Sequence, residues 1–355
     1  MSTLKNIYNT KEYRRSRAAY ILQCTLEYFV MLLVEDAFLA NLLTNMGISD
    51  ALTGIISSFI SFAFLFQLMS IFLVTKIKNT KKTVIMLNCL SQFLFMTMYL
   101  VPFMPFSKGI KTALVICAIL FAYISNYTVS GVLFKWANSF VAPTKRAEYS
   151  AGKEMVSLLS GISFTFIIGH IIDRYNDIGN VEGGFLFIAV AMLVLNLCNF
   201  ISLMLIKKDS IAMEEEQKEE TTSFPEVIKN TLGNKNFLSV VIMTVMWYAA
   251  RYMTLGFLGT FKTKDLLISV GMVQVINIAG QLARFAISKP FGRFSDKTSF
   301  ATGIRWAFIM EAAAYLACML TTTKTWWLII IYTVLYNVSM AGSNQNSFNI
   351  VYSYV

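Results

Sequence analysis

From Ala18 onward the sequence falls into long apolar blocks separated by short polar breaks, and that alternation leaves few folds open. About ten such blocks stand out, near 18–44, 51–75, 83–104, 110–137, 152–172, 184–206, 237–258, 267–288, 302–322 and 325–350. Each is about 20 to 28 residues long, and at roughly 1.5 Å of rise per residue it crosses a hydrocarbon layer about 30 Å thick. The chain is 56% hydrophobic and 14% charged, where a soluble domain is about 25% charged, and its mean hydropathy is +0.59. A water-soluble core cannot hide that much apolar surface, so lipid must solvate much of it. The blocks lack the strict alternation over about ten residues that marks a membrane β-strand. The expectation is an all-α integral membrane protein with about ten transmembrane helices.

Loop charge orients the spans. Lys5, Lys11, Arg14, Arg15 and Arg17 precede span 1, and Lys76, Lys78, Lys81 and Lys82 follow span 2. The alternate loops hold fewer cations, among them Lys108, Lys111, Arg174, Lys262, Lys264 and Lys324. This pattern predicts a multi-pass protein of the cell membrane with a cytoplasmic amino terminus. It also accounts for the net charge of +10 without a nucleic-acid partner. Span 1 is too long for a secretory signal and has no cleavage site after it. The five cysteines sit singly in apolar stretches, so they read as small hydrophobes, and no metal or other cofactor is predicted. Span 10 should end on the inner side, yet no basic residue follows Lys324 before Val355; the sequence reads as cut short.

Between spans 6 and 7 lies an acidic stretch containing "MEEEQKEETTSFPE", expected to be a solvated linker over residues 209–235. It divides a six-span bundle, 1–208, from a four-span bundle, 236–355. A shift of 211 residues brings Asn126 onto Asn337, Thr128 onto Ser339, Gly131 onto Gly342 and Asn138 onto Asn349. Internal repeats flanking a substrate site are a common design of secondary transporters.

Charges inside spans cost about 2.5 to 3.5 kcal/mol each on insertion scales, so they face a cavity or a partner. Position along the spans puts Glu27 and Glu311 near the midplane and Arg251 in the outer half of span 7. Glu35 and Asp36 lie in the outer half of span 1, where Glu35 shares a face with Glu27 because eight residues exceed two turns by about 80°. In the functional reading Glu27 or Glu311 carries a proton, and Arg251 neutralises it or holds an anionic solute group; in the structural reading these are buried pairs that fix packing. Spans 4 and 10 are rich in amides: Asn126, Asn337, Asn344, Gln345 and Asn346 either line a solute path or bond across helices. Lys135 and Arg284 lie near inner ends, where they can reach the interface. His170, the single histidine, reads as interfacial. Neither HExxH nor a phosphate-binding loop is present, which argues against a membrane enzyme and against direct use of ATP.

The stretch "GRFSDKTSF" at 292–300, with Gly292, Arg293, Asp296 and Lys297 in a predicted inner loop, resembles the G-x-x-x-D-[RK] signature of the major facilitator superfamily. "KWANSFVAPTKRAEYSAGKE" after span 4 is similar to another loop of that superfamily through Pro143, Lys145 and Arg146. The resemblance implies twelve helices in two pseudo-symmetric bundles. It also implies a monomeric secondary active transporter that moves a small solute by alternating access, with protons as the candidate coupling ion. The loop itself would be a cytoplasmic latch: glycine for the turn, a carboxylate for helix amino-terminal N–H groups, cations to hold it inside. The loop after span 2, "TKIKNTKKTV", has neither glycine nor aspartate, so no matching latch is expected there. The drug-antiporter glycine/proline motif in span 5 and the sugar-porter signature after span 6 are both missing. The alternative function is a non-transporting receptor.

Overall fold

The computed structural model describes residues 10–57, 59–63, 66–67, 80–207, isolated positions from 233 to 258, 261–268 and 270–354. Among the described residues there is helix and no strand. Most of predicted spans 2 and 7 and nearly all of the 209–235 linker lie outside the described residues. The helices are α1 (Lys11–Val34), α2 (Asp36–Asn45), α3 (Asp50–Ser57), α4 (Phe59–Ala63), α5 (Thr80–Leu100), α6 (Lys108–Ser139), α7 (Arg146–Asp177), α8 (Val181–Leu205), α9 (Val270–Lys297), α10 (Phe300–Met319) and α11 (Leu328–Tyr354). Five stretches among the described residues are long and apolar enough to cross a membrane: Lys11–Val34, Lys81–Phe103, Lys108–Ala137, Pro143–Asp177 and Val181–Leu205. Helices α9, α10 and α11, at 28, 20 and 27 residues, have the length to cross as well.

Local chemistry sets the helix ends. The Thr10 hydroxyl accepts from the Tyr13 N–H to start α1, Asn180 accepts from Gly183 N to start α8, and Ser299 accepts from Thr302 N to start α10; short polar side chains of this kind satisfy orphan helix donors. Helix α7 stops where Gly179 turns to φ +69°, and Asn180 N then bonds back to the Tyr175 carbonyl at 2.9 Å. That left-handed turn favours glycine.

The chain divides into two compact units, the first comprising Met1–Ala142 and Leu159–Thr221 and the second Pro143–Leu158 and Thr222–Val355. The division falls inside α7, so the first turns of that helix pack with the second unit.

In the first unit an apolar core gathers Leu33, Phe95, Tyr99, Ile119, Phe185 and Met192. Predicted span 1 is not one helix: the chain leaves helical geometry at Glu35 (φ −124°, ψ 172°) and restarts at Asp36. The break removes the helical donor for the Leu33 carbonyl, and the buried Tyr99 hydroxyl donates to it instead. Polar seams tie further helices. Asn199 donates to Asn88 at 2.6 Å, Ser91 to the Ala122 carbonyl at 2.9 Å, and Ser202 to the Ala19 carbonyl. The Lys81 ammonium caps α8 by donating to the Ile206 carbonyl at 2.6 Å, a favourable place for a cation.

In the second unit α11 packs against both α9 and α10. Its core joins Ile276, Ala314, Ile329 and Tyr332. Lys262, expected in an exposed outer loop, is buried at 5% exposure and donates to Asn277 Oδ1 at 3.3 Å. It sits in a short π-helical turn, Phe261–Asp265, and burial pushes its ammonium below the ordinary lysine range.

The Tyr99 bond gives a direct test of the α1 break. Replacing Tyr99 with Phe keeps the apolar ring but orphans the Leu33 carbonyl, which should cost about 1–3 kcal/mol. A lower thermal midpoint of the purified protein in detergent is the expected result; an unchanged midpoint would mean that the carbonyl finds another donor.

Candidate functional site

Within the second unit two polar constellations stand out. The first centres on Glu311 of α10, 3% exposed. Its carboxylate accepts from the Trp247 indole N–H, from the Ser339 hydroxyl at 3.0 Å and from the Tyr315 hydroxyl at 3.3 Å. The spacing explains part of this: Tyr315 lies one turn beyond Glu311 on α10, and Ser339 and Tyr336 share a face of α11. The Arg251 guanidinium lies 5.6 Å from the Trp247 ring centroid and 6.0 Å from that of Tyr336, within cation–π range of both. Tyr336 in turn stacks on Tyr332 at 5.7 Å, and Phe308 covers Trp247 at 5.7 Å. Sequence reasoning offered Arg251 as the neutralising partner of Glu27 or Glu311, and the structure brings Arg251 and Glu311 to one tryptophan.

The second constellation joins α9 to the start of α7. Asp296 accepts from the backbone N–H of Ala147 at 3.2 Å and of Glu148 at 2.9 Å, the first turn of α7, where a helix carries partial positive charge. Burial pushes the Asp296 carboxyl above the usual aspartate range, and the two backbone N–H groups pull it back. Arg293 donates to Glu148 at 2.9 Å. Deeper in the unit, Arg284 donates to Glu154 from Nε at 2.6 Å and also from Nη2, with both side chains largely buried.

Three expectations are corrected here. Residues 292–297 are not a loop: α9 continues through Pro290 to Lys297, because the residues beyond the proline regain helical partners and only Thr298 and Ser299 turn the chain. Gly292 therefore makes no turn. It is needed because a Cβ there would stand 2.8 Å from the Ala147 carbonyl oxygen and 3.0 Å from the Ala151 Cβ, so only hydrogen fits between α9 and α7. Arg284 does not reach for the interface, since Glu154 takes its guanidinium.

The other predicted residues separate. Glu27 is half-buried and accepts from the Gln23 amide at 2.6 Å, Glu35 stands half-buried at the α1 break, and Asn126 is half-buried on α6; all three belong to the first unit. In the second unit Asn337 donates to its own Thr333 carbonyl at 2.8 Å and packs against Gly280, whereas Asn344 and Lys297 are exposed. His170 is exposed. Sequence reasoning missed Trp247, Tyr315, Tyr336, Glu148 and Glu154. The two glutamates lie in the quoted "KRAEYSAGKE" stretch and were the available signal; the aromatic residues were hidden among many others of their kind. Among the described residues no group of His, Cys, Asp and Glu could hold a metal ion.

These features define a polytopic helical membrane protein with charged groups held inside one bundle. The sequence matches the family described as MFS/sugar transport protein over residues 83–349, and the chain belongs to that family. It is a secondary active transporter of the major facilitator superfamily, which moves a small solute by alternating access. No curated protein matches the sequence. Among solved structures, the chain is similar to a bacterial homologue of the iron transporter ferroportin in its outward-facing state, with 12% identity and a TM-score of 0.72 over 98% of this chain and 85% of that one. The same homologue with soaked iron gives a TM-score of 0.71 at 12% identity over the same shares. At that identity the likeness concerns the fold.

The Arg284–Glu154 pair yields a charge-swap test. Arg284→Ala leaves Glu154 largely buried and alone, which should cost about 3–5 kcal/mol, read as a drop in thermal midpoint. The double variant Arg284→Glu with Glu154→Arg should recover part of that loss. A double variant no better than the worse single variant would show that the pair adds no coupling.

Proposed function

We propose that this carrier moves a sugar-sized solute bearing hydroxyl or carboxylate oxygens, and that Arg251 is the group that meets it. The observation that carries this reading is the setting of Arg251, half-buried between the Trp247 and Tyr336 rings. A guanidinium is planar and carries its N–H donors in a fork, which suits paired oxygens. Glu311 is then a positioning residue: its carboxylate, held by the Tyr315 and Ser339 hydroxyls, fixes the Trp247 indole, and Trp247 fixes the guanidinium. The family's description supports a sugar, although the sugar-porter signature is missing from the sequence.

Glu27 is the proton carrier in this reading. It is a half-buried carboxyl near the middle of the first span, with an amide one turn away. Glu35, Asn126, Asn337 and Asn344 complete the pathway. The chain acts as a monomer in the cell membrane, with its amino terminus in the cytoplasm and residues 209–235 linking bundles 1–208 and 236–355. The attachment of α9 to the start of α7 through Gly292, Arg293 and Asp296 lies on the cytoplasmic side and is made and broken during the cycle, with Lys297 in the aqueous layer beside it.

Reconstitution into proteoliposomes tests these roles. Counterflow of radiolabelled monosaccharides, disaccharides and hexuronates should occur with at least one of these classes, and its absence with all of them sinks the sugar reading. Arg251→Lys should reduce that counterflow by about tenfold, because an ammonium lacks the planar fork. Glu27→Gln should abolish uptake driven by a pH gradient and leave counterflow partly intact; uptake that still follows the gradient would remove Glu27 as the proton carrier.

A further inference from the structure

Helix α11 carries a second set of polar groups that the solute pathway does not use. Gln345, Asn346 and Asn349 are 1%, 0% and 2% exposed. They lie within about 100° of one another around the helix, so they share a face. Every amide nitrogen in the set is bonded. Gln345 donates to the Ser288 carbonyl at 3.1 Å, Asn346 to the Ser295 hydroxyl at 2.9 Å and to the Gly342 carbonyl at 2.8 Å, and Asn349 to the Gln345 carbonyl at 2.6 Å. Turning any of these amides over would set its oxygen against a carbonyl oxygen, so the assignment of nitrogen and oxygen is fixed by the network. What remains is three buried carboxamide oxygens, Gln345 Oε1, Asn346 Oδ1 and Asn349 Oδ1, with no donor among the described residues.

An orphan set of a single kind is informative. In the first unit the orphans at Asn88, Gln92 and Asn199 mix amide nitrogens with amide oxygens, a mixture that water, which donates and accepts, satisfies. The oxygens of Gln345, Asn346 and Asn349 are acceptors only; the other orphans on α11, the Tyr332 and Tyr336 hydroxyls, lie more than two turns away. Neutral oxygens with no competing donor are the chemistry that replaces the hydration shell of a monovalent cation. A cavity of about 330 Å³, lined in part by Ser295, Asp296 and Ile350, lies next to this face: Ser295 is the partner of Asn346, and Ile350 follows Asn349 in the chain. The Asp296 carboxylate stands on the cavity wall, where it attracts a cation to this side of α11.

We propose that Gln345, Asn346 and Asn349 form a site for a monovalent cation of sodium or potassium size, which ties α11 to α9 beside Ser288 and Ser295. The site is independent of the solute reading, because it rests on residues that neither Arg251 nor Glu311 touches in the described contacts.

The test is the thermal stability of the purified full chain at constant ionic strength in sodium, potassium or choline chloride. The midpoint should rise saturably with sodium or potassium over choline, and Asn349→Leu should remove the rise. A variant in which a carboxylate replaces the amide, Asn349→Asp, should lower the half-saturating cation concentration by about tenfold through the added charge; this gain cannot come from misfolding. Equal midpoints in all three salts overturn the proposal. So does a saturable rise that persists in Asn349→Leu, which would place the cation elsewhere.

Discussion

Hydrocarbon offers a polar group nothing to bond to, and that single constraint organises what is seen in this chain. Every carbonyl, amide and charge within a span must find its partner in the protein or in a solvated cavity. The break at Glu35 illustrates the rule. Interrupting α1 frees the Leu33 carbonyl, and a tyrosine from α5 meets it. The same rule draws three donors onto Glu311, two backbone N–H groups onto Asp296, and a carboxylate onto Arg284. All but the Tyr315 bond, which stays within α10, join residues far apart in sequence and so fix how one segment lies against another.

The two polar constellations of the second unit differ in what they can do. Around Glu311 the groups are aromatic and packed, and the arginine lies against two ring faces. That environment resists rearrangement and suits recognition. Apart from the largely buried Arg284–Glu154 pair, the contacts between the end of α9 and α7 are a carboxylate on a helix amino terminus, a half-exposed ion pair and a glycine without room for a methyl. Such contacts are individually modest, depend on close approach and disappear together when the helices part. A packed aromatic cluster and a set of close-approach polar contacts thus occur in the same unit, through different chemistry.

Much of the architecture could be read from hydropathy alone, because a run of twenty or more apolar residues has so few stable environments. Arg251 and Glu311 were legible for a related reason: a charge in such a run is costly enough to be noticed. Their meeting at Trp247 was not legible, since an indole among many aromatic residues carries no mark of the carboxylate it will bond. Glu154 and Arg284 are far apart in sequence, and no periodicity links them. The extent of α9 was misread because glycine and proline usually punctuate a helix; here Pro290 lies within the helix, and Gly292 serves the neighbouring helix rather than a turn. Lys262 was misread because loop charge was assumed to be solvated.

Pro290 has a mechanical consequence. It cannot donate to the Ala286 carbonyl, so α9 lacks one rung of its ladder at that level, and bending there costs less than at any intact turn. The grip of Arg284 on Glu154 lies on one side of the missing rung, and those of Gly292, Arg293 and Asp296 lie on the other. The start of α7 is therefore held at two points by a rod with a pivot between them, and a small change of angle at the pivot loads one grip while relieving the other.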